Sequence, residues 1–171
     1  MEYKVEIFYI RHGFSCANAI RKYKGIAHQL KRAFYTDPEL TNISLKNIKS
    51  FPKNKLPEVD LVFCSTMRRA EETALNLYKR RKVTVIPFVK ETGSIGGNTL
   101  SKTPAIQREN LGRISKRLNY DLVSKNGIWT EEAHEVNYEK FLIFIKEIAL
   151  SKRKNLKIAV VTHSNFLKDH V

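Results

Sequence analysis

Two histidines in this chain directly follow β-preferring apolar runs: residues 5–10 lead into Arg11, His12 and Gly13, and residues 156–162 lead into His163. A third apolar run, 60–64, ends at Ser65 with Arg69 four residues on, and a fourth, 83–88, is followed within three residues by Glu91. These side chains suit chemistry at phosphorus. Two arginines clamp a phosphoryl group better than lysines would, because the planar guanidinium fork matches its oxygens. One imidazole can attack phosphorus, another can donate hydrogen bonds to the oxygens, and a carboxylic acid can protonate the departing oxygen. Such a transfer needs mainly positioning and charge stabilisation, which these groups supply without a metal. No Asp-x-Asp, His-x-His or Cys-x-x-Cys spacing suggests a metal site.

The elements that must position these groups alternate. Gly13 lets the backbone turn sharply toward a ligand, and Ser15 can cap a helix over residues 15–33 whose free N–H groups point back at Arg11 and His12. Asp37 to Thr41 reads as an irregular connection. Residues 67–79 read as a helix burying Ala70, Ala74, Leu75 and Leu77, with Arg69 in its first turn. Gly93, Gly96 and Gly97 open a loose connection. A basic helical segment follows at 103–118, and an amphipathic helix at 130–150 turns Ala133, Val136, Tyr138, Phe141, Phe144 and Ile148 inward. Strands alternating with helices predict a three-layer α/β/α sandwich with a mostly parallel sheet, whose ligand site lies beyond the strands' carboxyl ends. Arg11, His12, Arg69, Glu91 and His163 all map to that edge.

With 171 residues and 42% hydrophobic content, the chain fits a single domain, 1–171, with a core of its own. Two cysteines, Cys16 and Cys64, make no disulfide framework, and no apolar N-terminal segment resembles a signal or membrane anchor, so the expectation is a cytoplasmic protein. The sequon Asn42-Ile43-Ser44 is then idle. A net charge of +14 fits an enzyme drawing in anionic substrates or a nucleic-acid surface. The basic clusters at 21–24, 79–82 and 152–157 read as solvated faces, two of them at helix C-terminal ends, and no stacking-aromatic motif singles out nucleic acid.

The motifs resemble those of the histidine phosphatase superfamily, the phosphoglycerate-mutase-like group. Residues 11–18, RHGFSCAN, resemble R-H-G-x-S-x-x-N; residues 65–74, STMRRAEETA, resemble S-P-L-x-R-A-x-Q-T-A; residues 162–167, THSNFL, resemble T-H-G-G-F-L; and Asp37 to Thr41 resembles D-P-x-L-T. The resemblance implies that His12 is the nucleophile, forming a phosphohistidine, while Arg11, Arg69 and His163 bind the phosphoryl group beside Ser15 and Asn18. Glu91 sits where the family carries its acid, with Glu109, Glu131 and Glu132 as substitutes. Thr66, Glu72, Ser164 and Asn165 depart from the pattern, and Ser44 stands where a glycine is common. The family also continues past the position of Val171 with the rest of a helix and a strand, so this is either a shortened member or an early end.

The implied activity is metal-independent, cofactor-free hydrolysis of phosphomonoesters on a small phosphorylated substrate or a phosphoprotein, with no membrane partner. A mutase is the alternative within the family, disfavoured by the chain's compactness. A non-catalytic module binding phosphorylated ligands or nucleic acid is the alternative outside it.

Overall fold

The computed structural model describes residues 2–22, 25–91, 100–134 and 136–171. Five strands, β1 (Val5–Arg11), β2 (Leu61–Cys64), β3 (Val83–Val85), β4 (Leu118–Asn119) and β7 (Leu156–Thr162), form one sheet of order β1-β7-β2-β3-β4. All four pairings are parallel. A separate antiparallel hairpin joins β5 (Ser124–Lys125) to β6 (Ile128–Trp129).

The sequence explains the layering. Apart from Lys157, every residue of β7 is buried, as a parallel strand covered on both faces requires. Alternation along β2 sends Val62 and Cys64 to one face and Phe63 to the other. On the first face lies α4 (Arg68–Leu77), whose Ala70, Ala74 and Leu75 pack with Val83, Val85, Ala159 and Val161. On the second lie α6 (Tyr138–Lys152), with Phe141, Ile145 and Ala149, and α7 (Ser164–His170), with Phe166, against Ile158 and Val160. The result is a three-layer α/β/α sandwich. Among the described residues no helix is long and apolar enough to cross a membrane.

Several elements differ from the sequence reading. The helix expected over 15–33 is two helices, α1 (Cys16–Arg21) and α2 (Ile26–Phe34), separated at Gly25, whose φ of 129° no helix accommodates. Directly after the connection read at Asp37 to Thr41 lies a helix the sequence reading did not place, α3 (Asn42–Lys49), N-capped by the Thr41 hydroxyl. The basic helix over 103–118 stops early: α5 (Pro104–Leu111) ends at Gly112, φ 54°, and a 3-10 turn leads into β4. Expected helix 130–150 begins only at Tyr138, because Asn137 caps it, and Ala133 belongs to the opposite face's core. The third strand ends at Val85 rather than Phe88. Gly93, Gly96 and Gly97 lie outside the described residues.

Candidate active site

Register brings the strand ends together. Arg11 pairs with Thr162, and Cys64 with Val161, so His12, Ser65 and His163 emerge side by side at the carboxyl edge. The ladder continues one step beyond, with His12 N–H donating to Thr162 O over 2.9 Å and Ser65 N–H to Val161 O over 3.0 Å. Arg69 arrives from the first turn of α4 and is fully buried.

Hydrogen-bond accounting fixes the ring of His12. Its Nδ1 lies 2.6 Å from Gly13 O, and a carbonyl only accepts, so the proton is on Nδ1. Nε2 then carries the lone pair, and Arg69 Nε–H donates to it over 3.2 Å. Burial, the charges of Arg69 and then Arg11 lower the His12 pKa to about 3, against the pull of the Gly13 bond. The imidazole is therefore neutral at physiological pH.

His163 is fully buried, its ring centroid 5.0 Å from that of His12. Nε2 lies 2.8 Å from Ser65 Oγ, and Ser65 Oγ accepts from Met67 N–H over 3.3 Å. Burial first, then Arg69, the neighbouring His12 ring, and the Lys90 and Arg11 cations, hold His163 well below its ordinary pKa. Among the described residues its Nδ1 finds no hydrogen-bond partner, and it stands 3.5 Å from Glu91 Oε2, an oxygen also 3.5 Å from Arg69 Nη2. Burial pushes the Glu91 carboxyl up in pKa, while Arg69 and the Asn165 backbone N–H pull it down.

The approach to Glu91 is built with strain. Val89 N–H bonds to Pro87 O over 2.9 Å, closing a γ-turn on Phe88 at φ 74°, a backbone conformation a bulky residue rarely holds. Phe88 is held there by the Asn137 N–H on its carbonyl and by its ring 6.2 Å from that of Phe144. Thr162 Oγ1 then donates to Val89 O over 2.6 Å, tying this segment to β7.

The other expected site residues also have defined settings in the fold. Ser15 and Asn18 form a reciprocal capping box for α1: Asn18 Oδ1 accepts from Ser15 N–H and Oγ–H, both at 3.0 Å, and Ser15 Oγ accepts from Asn18 N–H. Arg11 ends β1 exposed, near enough to act electrostatically on both histidines and on Glu91. Gly13 also serves packing, since a Cβ there would sit 2.5 Å from Ser44 Oγ and 2.6 Å from Ile48 Cδ1 on α3. Glu109 and Glu131 are exposed, and the side chain of Glu132 lies outside the described residues.

Sequence reasoning missed four supports. Asp37 is completely buried; its Oδ1 accepts from Arg68 N–H, and its Oδ2 from Lys102 N–H and Gln107 Nε2. Thr73 Oγ1 accepts from Gly13 N–H and donates to Arg69 O, linking the His12 turn to α4. Ser65 and Lys90 are the others, Lys90 buried near Asp37 and Arg69. A polar residue directly after a strand, as Ser65 is, was the available signal.

His12, Glu91 and His163 each offer a ligand atom within 4.8 Å of one another. The Arg69 guanidinium is set among those atoms, and its charge favours an anion in the same space.

Comparisons with known proteins agree with this fold. The family profile of the histidine phosphatase superfamily (branch 1) matches residues 7–169. Among solved structures, a phosphoserine phosphatase from Entamoeba histolytica in complex with 3-phosphoglyceric acid is 21% identical, with a TM-score of 0.54 over 96% of this chain and 76% of that one. A phosphoglycerate mutase from Bacillus anthracis is 14% identical, with a TM-score of 0.54 over 95% and 76%. A search of curated proteins finds no match. At these identities the solved structures establish a shared fold, while the profile covers nearly the whole sequence: the chain belongs to the histidine phosphatase superfamily, branch 1.

Proposed function

We propose that this protein is a phosphomonoester hydrolase working through a phosphohistidine on His12, without a metal. The observation that carries the reading is the His12 tautomer: Nδ1–H is committed to Gly13 O, so the Nε2 lone pair is the one available to attack, beside Arg69 and His163. The substrate phosphoryl group enters between Arg11, Arg69 and His163, and Arg69 exchanges its bond to Nε2 for one to a phosphoryl oxygen. Nε2 attacks phosphorus as the P–O ester bond breaks, and the Glu91 carboxylic acid passes its proton to the leaving oxygen. Water then attacks the phosphohistidine with Glu91 carboxylate taking its proton, the N–P bond breaks, and inorganic phosphate departs. Burial supports that role by favouring the protonated acid.

In this reading Ser15 and Asn18 shape the site through α1. A small phosphorylated molecule is the substrate class that four converging cationic or donor groups suit. The chain acts as one domain, and its compartment is expected to be cytoplasmic.

The test is p-nitrophenyl phosphate hydrolysis in the presence of chelator, with the turnover mixture quenched in neutral detergent, which preserves N–P and O–P bonds alike, before the label is challenged with acid and base. Metal-independent release of inorganic phosphate, with an acid-labile, base-stable label lost in His12→Ala, is expected. Label on serine or threonine would overturn the nucleophile. Silence across pH and generic substrates would favour a binding module, and transfer to an acceptor rather than water a mutase.

A further inference from the structure

The unusual charge has a location that topology reveals. Because β1, β7, β2, β3 and β4 all run parallel, their amino ends share the sheet edge opposite Arg11, Ser65 and His163. Three basic clusters far apart in sequence arrive at that edge: one before β2, containing Lys53; one before β3, containing Lys79, Arg80 and Arg81; and one before β7, containing Lys154. All five of these side chains are exposed.

They form a continuous surface. Lys53, Lys79, Arg80 and Arg81 line one concavity of about 210 Å³. Asp60 joins that concavity to the third cluster, since it pairs with Lys154 at 2.7 Å and feels the charge of Arg81. The concavity is also held in shape. Arg117 donates through Nη1 to Tyr78 O over 2.9 Å and through Nη2 to Leu75 O over 2.7 Å, fastening the end of α4, from which the cations follow, to the turn before β4. Asp60 already accepts from Lys154 and from Lys157 N–H, and Glu58 is the acid lining the concavity, so the edge keeps a large positive excess.

We infer that this edge binds the phosphate backbone of a single-stranded nucleic acid, independently of the catalytic edge. Three neighbouring strands, β7, β2 and β3, span about 10 Å at their usual spacing. A stacked strand rising ~3.4 Å per nucleotide places four successive phosphates along that span. The cations line a groove, which a chain can enter and a flat bilayer surface cannot. Among the described residues no exposed aromatic lines it for base stacking, so binding is electrostatic and indifferent to sequence.

The experiment is fluorescence anisotropy with labelled oligothymidylate and oligoadenylate over a salt series, for the wild type and for Arg80→Gln/Arg81→Gln. Both oligonucleotides are expected to bind equally, with log K falling linearly against log salt. The double variant should lower that slope by about 1.4, or ~0.7 for each phosphate left without its arginine. Circular dichroism and thermal unfolding should be unchanged, because both replaced side chains are exposed. Vanadate should leave binding unaffected. Absence of binding at low salt, an unaltered slope in the variant, or displacement by vanadate overturns the proposal. So does preferential binding to phosphatidylserine-containing vesicles, which would make the edge a membrane surface.

Discussion

Arg69 Nε donates to His12 Nε2 over 3.2 Å, so the guanidinium occupies the lone pair proposed to attack phosphorus. The same cation sits 3.5 Å from Glu91 through Nη2. Arg69 thus serves as an internal occupant of the site until an anion offers it better acceptors.

Arg69→Lys keeps the charge but loses the planar fork and cannot bond His12, Glu91 and a phosphoryl oxygen in one plane. It should lower kcat/KM for p-nitrophenyl phosphate by about 10²–10³, the usual effect of removing a charge-stabilising donor. Competitive inhibition by vanadate should weaken in parallel. Unchanged vanadate affinity would remove Arg69 from the phosphoryl clamp.

For Glu91 the leaving group is the discriminator. An alkoxide needs a proton in the transition state, a contribution of about 10²–10⁴ in rate, whereas nitrophenolate leaves without one. In single-turnover phosphoenzyme formation, Glu91→Gln should slow an alkyl phosphate sharply and p-nitrophenyl phosphate little. Equal slowing with both substrates would make Glu91 a structural or substrate-binding group.

Ser65 positions His163. Its oxygen accepts from Met67 N–H, and its hydroxyl proton has the His163 Nε2 lone pair as acceptor at 2.8 Å. Donation in that direction places the imidazole proton on Nδ1, facing Glu91 and the phosphoryl space. Side-chain ¹⁵N NMR should show the Nδ1–H tautomer in the wild type and a mixture in Ser65→Ala. That variant should lose kcat more than KM, with Ser65→Thr restoring both. An Nε2–H tautomer in the wild type refutes the assignment.

Glu71 is fully buried in α4 beside Cys64, Asp37, Glu72, Arg68 and Tyr120, and burial holds its carboxyl well above the ordinary range. The folded state therefore keeps a proton that the unfolded chain releases near the ordinary carboxylate pKa. Above that point the unfolded state binds fewer protons, so stability falls as pH rises, by up to about 1.4 kcal/mol per unit for one group. Glu71→Gln removes this dependence, and its melting temperature relative to wild type should improve steadily from pH 5 to pH 8. A constant difference would show that Glu71 is ionised in the fold.

The strands and the residues that follow them were legible because a parallel strand buried on both faces has to be an apolar run, and chemistry placed at its end interrupts that run. The 156–162 run and His163 illustrate this. What stayed hidden was three-dimensional in origin. Nothing in the local pattern shows Gly13 pressed against Ser44 and Ile48, or Phe88 forced into a positive φ by packing with Phe144 and the Asn137 bond. Helix lengths were overread where a single glycine or asparagine breaks a periodic pattern, as at Gly25, Gly112 and Asn137. The basic edge was invisible until the strand order gathered its clusters.

Asp37 carries a consequence for the order in which the molecule assembles. Its carboxylate reaches partners 31, 65 and 70 residues away along the chain. Closing loops of that length costs entropy before the bonds repay it, but β1 and β7 must close a far longer one, since Val5 pairs with Leu156. The Asp37 junction is thus expected to form before β1 docks against β7. The wall beside Arg69 would then be in place when that last pairing brings His12 up to His163, so the site would be completed only by the final closure of the sheet.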